Sequence, residues 1–194
     1  KENVYIATEN SKIANIVKQA GYNVVITSDS CLTGTDRVAE ASYEINADIF
    51  VNVQGDEPMI DPDDIKRAIK LKQDNSDYVI NCMSKLHKDE NASDKKIPKV
   101  ICDLQNSRNP VPGSKELEVD NIMKQVCIYA FSKNQLHQFY DTKKTPLENY
   151  EDIEIIRCIE KGIKVKMMEV NKVSYAVDYP EDIKTIENYG FRKL

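Results

Sequence analysis

The sequence has no apolar run near the ~20 residues a membrane-spanning helix needs, and no secretory signal is visible. It lacks an excess of basic charge: 27 Lys and Arg against 32 Asp and Glu leave a net charge of −5 and a pI near 5.2. Nucleic-acid and anionic-membrane partners need a positive field, so this balance argues against both. Histidine is scarce, with His87 and His137 alone, and neither has an assignable role. The five cysteines, at 31, 82, 102, 127 and 158, are odd in number, widely spaced and form no C-x-x-C pair. That spacing argues against a structural zinc site and reads as reduced thiols in a cytoplasm. Internal repeats, low-complexity tracts and domain linkers are also missing. What remains is an ordinary globular composition, 41% hydrophobic and 30% charged over 194 residues, enough for one domain with its own core.

What is present is an alternation of strands and helices. Val4–Ala7 reads as a strand, and Asn10 caps a helix over Ser11–Ala20 whose Ile13, Ile16 and Val17 share one face. Gly21 supplies its left-handed stop. A strand over Asn23–Thr27 follows, then a helix entered through Thr33-Gly34-Thr35-Asp36-Arg37 and running to about Ile45. After a strand over Asp48–Gln54, Asp61-Pro62-Asp63-Asp64 starts a helix that reaches about Lys72. Tyr78–Met83 and Lys99–Cys102 read as strands on either side of a charged loop, Lys85–Lys96. Met123–Phe131 is predicted as a strand and Ser132–Tyr140 as a helix. Leu147–Glu160 is predicted as one helix, with Tyr150, Ile153, Ile156 and Ile159 at core spacing and Gly162 as its stop. Ile163–Val170 and Val173–Val177 complete the strands, and a last helix begins near Pro180. Such alternation at short spacing predicts a parallel sheet wrapped by helices.

The stretch Val51-Asn52-Val53-Gln54-Gly55-Asp56-Glu57-Pro58 is the chemical centre of this pattern. An apolar strand ends at Gly55, and Asp56 and Glu57 stand just past its carboxyl end, where open α/β sheets bind ligands. A carboxylate there can hold Mg²⁺, which takes oxygen ligands and shares itself with phosphates. The same two acids could also merely solvate a loop. Val173 to Asp182 repeats the design, an apolar run and then Asp178. Asp178-x-x-Glu181 also has capping-box spacing around Pro180, so Asp178 could be a helix cap instead.

Taken together, V-N-V-Q-G-D-E-P-M-I, T-G-T-D-R-V-A-E, P-L-E-x-x-E-x-x-E-x-x-R and V-D-Y-P-E-D-I resemble the CMP-Kdo synthetases, or 3-deoxy-manno-octulosonate cytidylyltransferases. The motifs span nearly the whole chain in the family's order. The resemblance implies a single nucleotidyltransferase domain over residues 1–194. Its fold would be α/β, three-layer and nucleotide-diphospho-sugar-transferase-like (Rossmann-like). The sheet would be mostly parallel, with helices on both faces and a small dimerisation segment. It implies a Mg²⁺-dependent cytoplasmic enzyme that couples CTP to the 2-keto sugar acid Kdo, giving CMP-Kdo and pyrophosphate for lipopolysaccharide or capsule precursors. It also implies a homodimer, with its contact expected around Met123–Phe131 and Ser132–Tyr140.

Residue by residue, the resemblance makes Asp56 and Asp178 the catalytic metal ligands. It sets Thr33, Gly34, Thr35 and Arg37 against the CMP portion, where a turn entering a helix offers N–H groups to an anion. On the residues alone, either threonine also fits a helix cap and Arg37 a solvated first-turn position. Gln54, Gln125 and Glu148 would face the sugar, and Arg108 its carboxylate, a bidentate task suited to guanidinium. Glu148 also fits a first-turn acid favoured by the helix dipole, and Arg157 a helix-surface charge.

Three departures stand out. The family's first strand and G-x-x-x-R-x-x-x-K phosphate loop have no counterpart after Lys1, so they are expected upstream of it. The tyrosine-rich strand before the Ser-Arg pair is missing, which points to a gap near 106–109. Lys124-Gln125 stands where the family usually has Arg-His. That last change leaves open a cytidylyltransferase for another sugar acid, such as a sialic acid or 8-amino-Kdo. A non-catalytic nucleotide-binding relative is the remaining alternative.

Overall fold

The strand Met123–Ser132 shows why the chain layers as it does. With successive side chains pointing to opposite faces, Tyr129 and Phe131 enter one core while Val126, Ile128 and Ala130 enter another. The computed structural model describes residues 2–86, 90–91, 97–100, 122–172, 175–177 and 179–188, with the side chains at 185 and 188 excepted.

In chain order the elements are β1 (Tyr5–Thr8), α1 (Ser11–Gln19), β2 (Asn23–Ile26), α2 (Gly34–Ala41), β3 (Ile49–Val53), α3 (Pro62–Asp74) and β4 (Val79–Lys85). Then come β5 (Lys99–Val100), β6 (Met123–Ser132), α4 (Lys133–Tyr140), α5 (Pro146–Glu151), α6 (Ile156–Glu160), β7 (Val165–Glu169) and α7 (Asp182–Asn188). β1 and β2 pair in parallel. The larger sheet runs β3-β6-β4-β7, with β5 also on β6. β4 and β7 are parallel, whereas β6 is antiparallel to β3, β4 and β5. The sheet is therefore mixed around β6.

Helices cover both faces. On one side Ala39 of α2, Leu136 and Phe139 of α4 and Cys158 of α6 join Phe50, Val79 and Met167. On the other, Ala68 of α3, with Ile65 and Leu71, packs on Ile80, Cys82 and Val126. Local signals set the helix starts: Asn10 Oδ1 accepts the N–H groups of Lys12 and Ile13, and Asp61 accepts that of Asp63 ahead of Pro62.

Several expectations are corrected. The helix expected over Leu147–Glu160 is two short helices, because Asp152 adopts a left-handed conformation (φ 53°). Tyr150, expected in the core, is 85% exposed as a result. Ile13 and Ile16 share a face of α1, but that face is open to solvent. Residues 175–177 belong to no strand, and 173–174 lie outside the described residues. β6 lies inside the sheet with β4 on one side and β3 and β5 on the other. No helix among the described residues is long and apolar enough to cross a membrane.

Candidate active site

The site is built on the start of α2, laid across the carboxyl ends of β1, β2 and β3. Thr33 caps the helix: its Oγ1 accepts the Asp36 N–H at 3.1 Å and donates to Asp36 Oδ2 at 2.8 Å. Arg37, one residue further, reaches back over both parallel strands. Its Nη1 lies 2.6 Å from Glu9 Oε2 beyond β1 and donates to Thr27 Oγ1 at 2.7 Å beyond β2. Thr35 is buried, and its Oγ1 accepts from Asn52 of β3 at 3.1 Å. Thr33 is thus a helix cap, as one of its two readings had it.

Gln54 follows β3 directly and lies against the same turn. Its Nε2 donates to Glu154 Oε1 at 2.7 Å, while Glu154 Oε2 accepts the Thr35 N–H at 2.9 Å. A Cβ added at Gly34 would stand 2.8 Å from Gln54 Nε2, so glycine is what lets that amide close on the turn. Burial pushes the Glu154 carboxyl above its ordinary range, against the pull of the Thr35 N–H. Glu154 was not singled out in the sequence, although it is the third acid of P-L-E-x-x-E-x-x-E.

The first acid of that motif, Glu148, does not face open space. It is fully buried, and its two oxygens hold Arg157 through Nε at 2.8 Å and Nη2 at 2.6 Å. Arg157 is not a surface charge: it is 1% exposed, and its other edge grips both oxygens of Asp36 at 2.7 and 3.0 Å. The guanidinium also lies 3.8 Å over the Phe139 ring centroid. Burial opposes its charge, but hydrogen bonds to Glu148 and Asp36 outweigh burial and hold its pKa above the ordinary arginine value. Committed to Arg157 and sealed from solvent, Glu148 has no oxygen free for a sugar hydroxyl. The carboxylate of this segment that does reach the site is Glu154.

Asp56 lies beyond Gln54 with its Oδ1 shielded from solvent, and its backbone carbonyl accepts the Val177 N–H at 2.8 Å. The chain thus returns to Asp56 one residue before Asp178, which itself lies outside the described residues, as does Arg108. Glu57 does not solvate a loop: it is buried, and its Oε1 accepts the Cys127 N–H at 2.6 Å. Burial drives the Cys127 thiol well above its ordinary range. Further along β6, Gln125 is buried and donates to Tyr129 Oη at 2.7 Å. Lys124 pairs with Glu90 and stands 5.4 Å from the Tyr175 ring centroid. Among the described residues no three His, Cys, Asp or Glu side chains cluster as a metal site.

The geometry joins a helix N-terminus, an arginine, an amide and a carboxylate at strand ends, the equipment for a phosphate-bearing ligand. A family model described as cytidylyltransferase matches residues 1–171. The chain belongs to the cytidylyltransferase family. Relatives in it include the 3-deoxy-manno-octulosonate cytidylyltransferase of Syntrophotalea carbinolica, 34% identical over 96% of this chain and 80% of its own length. The enzyme of the same name from Acaryochloris marina is 32% identical, over 94% of this chain and 77% of its own. Among solved structures, a CMP:2-keto-3-deoxy-manno-octonic acid synthetase complexed with CTP matches with a TM-score of 0.84 and 26% identity. That match covers 96% of this chain and 79% of the other. This cytidylyltransferase thus shares the nucleotide-diphospho-sugar-transferase-like α/β fold of that synthetase.

Proposed function

We propose that this cytidylyltransferase couples CTP to 3-deoxy-manno-octulosonate, releasing pyrophosphate and forming the CMP-sugar. The observation that carries the reading is the convergence of Thr33-Gly34-Thr35, Arg37, Gln54 and Asp56 at the strand ends, in a chain whose relatives are named for that reaction. The anomeric hydroxyl attacks the α-phosphorus in line. One P–O bond forms, the bond to the β-phosphate breaks, and the hydroxyl proton passes to solvent. No covalent nucleophile is required, so the protein's work is positioning and charge neutralisation.

In this reading the Thr33-Gly34-Thr35 turn and Arg37 lie against the CMP portion, where the guanidinium adds positive charge. Gln54 meets the sugar, and so does Gln125, which β6 buries beside Tyr129. Arg108 takes the sugar carboxylate. The oxygen donors of Asp56 and Asp178 suit Mg²⁺, and the backbone bond from Val177 to Asp56 supports their meeting. Bound there, Mg²⁺ would shield phosphate charge and favour ionisation of a hydroxyl. We also propose a cytoplasmic homodimer whose contact lies around β6 and α4. A coupled pyrophosphate assay with CTP and a panel of sugar acids tests the function. Release with 3-deoxy-manno-octulosonate is expected, whereas release only with a sialic acid or an 8-amino analogue would reassign the substrate.

A further inference from the structure

Gln54 has two ends that differ chemically, since one amide atom donates and the other accepts. A carboxylate can only accept, so the short contact with Glu154 forces the donor end, Nε2, inward. Gly34 has no side chain to displace that atom: a Cβ there would stand 2.8 Å from Nε2, so the glycine lets the amide keep this partner. Gln54 Oε1 makes no hydrogen bond among the described residues, and the side chain is half-buried. Glu154 is itself fixed, because its second oxygen holds the Thr35 N–H. A glutamine that could otherwise read either a donor or an acceptor is thereby restricted to one.

We propose that Glu154 is a positioning residue that locks the Gln54 amide with its carbonyl oxygen toward the substrate. Position 54 then offers only an acceptor there, to which a hydroxyl of the sugar acid donates. This rests on the reading that Gln54 meets the sugar. It makes Glu154 a determinant of sugar selection without contact to the reacting atoms.

The test exchanges the two partners. In Glu154→Gln the new amide still accepts the Thr35 N–H but turns an NH2 toward Gln54, donor against donor, so Gln54 turns over and presents NH2 to the sugar. The sugar-acid KM is expected to rise about tenfold, the size of one hydrogen bond to a desolvated partner, with the CTP KM little changed. Gln54→Glu sets two carboxylates together and should also raise it. The double variant Gln54→Glu/Glu154→Gln restores a donor–acceptor pair with an acceptor facing outward, and should return the KM close to wild type. An unchanged KM in Glu154→Gln, or a double variant no better than the worse single one, overturns the proposal. A second readout is independent of turnover: the Gln54 side-chain NH2 signals in NMR should exchange slowly in the wild type and rapidly in Glu154→Gln. Rapid exchange in the wild type also overturns it. If the wild type releases no pyrophosphate with any sugar acid, the function reading fails, and the NMR comparison still decides the lock.

Discussion

Glu148 and Arg157 are nine residues apart, yet one edge of the guanidinium holds both carboxylate oxygens, at 2.8 and 2.6 Å. In one continuous helix, nine residues would set them about half a turn out of phase, on opposite faces. The left-handed residue Asp152 breaks the helix, and α6 folds back so that Arg157 bridges Glu148 to Asp36 at the start of α2.

Removing the guanidinium would leave two acids, Asp36 and Glu148, buried beside each other without their cation. Arg157→Met is therefore expected to lower unfolding free energy by about 3–5 kcal/mol, the range for breaking a buried ion pair from one side. Urea unfolding at neutral pH measures it. A change under about 1 kcal/mol would mean that the triad is replaceable by packing alone.

Much of this was legible in the sequence, and the exceptions share a cause. Strand ends, caps and the glycine turns follow local rules, so Asn10, Thr33, Asp61 and Gly34 could be placed from their neighbours. Asp152 could not, because a left-handed aspartate leaves no local signature comparable to glycine. That single residue reverses which glutamate of P-L-E-x-x-E-x-x-E meets the site and whether Arg157 is inside or outside. β6 misled in another way: an apolar run such as Val126 to Phe131 looks the same whether its neighbours run with it or against it. The burial of Glu57 depends on Cys127, seventy residues away, and no local pattern encodes that.

At alkaline pH, thiols and Lys72 should pull stability in opposite directions. Burial pushes Cys31 up to about 11 and Cys82 up to about 12, and raises Cys127 and Cys158 further. Above pH 9 the unfolded chain loses thiol protons that the folded one keeps, so this contribution is full below 9 and falls as pH rises. Lys72 has the reverse sign. Burial brings it down to about 8, although its Nζ donates to Ser76 O, Tyr78 O and Gln135 Oε1. Between 8 and the unfolded value of 10.5, the unfolded chain holds the extra proton, so this contribution rises with pH. Net stability should fall above pH 9, and Lys72→Met should fall more steeply between pH 8 and 10. Parallel pH curves for the two proteins would show that Lys72 keeps its charge.

Arg37 offers a clean separation of binding from folding. Its ion pair with Glu9 is short but partly exposed, with side chains 22% and 44% accessible, so it contributes little to stability, about 0–1 kcal/mol. Arg37→Gln should melt within a few degrees of wild type, yet raise the CTP KM about tenfold through the lost phosphate charge. Calorimetric titration with CTP reads the second effect directly. Unchanged CTP affinity would remove Arg37 from the nucleotide site.

Asp56 carries the last and most demanding expectation. Its backbone, not its side chain, receives the Val177 N–H, so a change of side chain should leave that tether intact. Asp56→Asn keeps size and shape and removes only the negative charge that a divalent cation requires. The expected outcome is an unfolding transition close to wild type together with loss of about 10²-fold or more in pyrophosphate release, the size of losing one charge-stabilising group. Chelation with EDTA should abolish release in the wild type and added Mg²⁺ should restore it. Mg²⁺ should raise the melting temperature of the wild type in the presence of CTP but not that of Asp56→Asn. If Asp56→Asn turns over normally, the carboxylate at the end of β3 serves only the loop it sits in, and the metal must be held elsewhere.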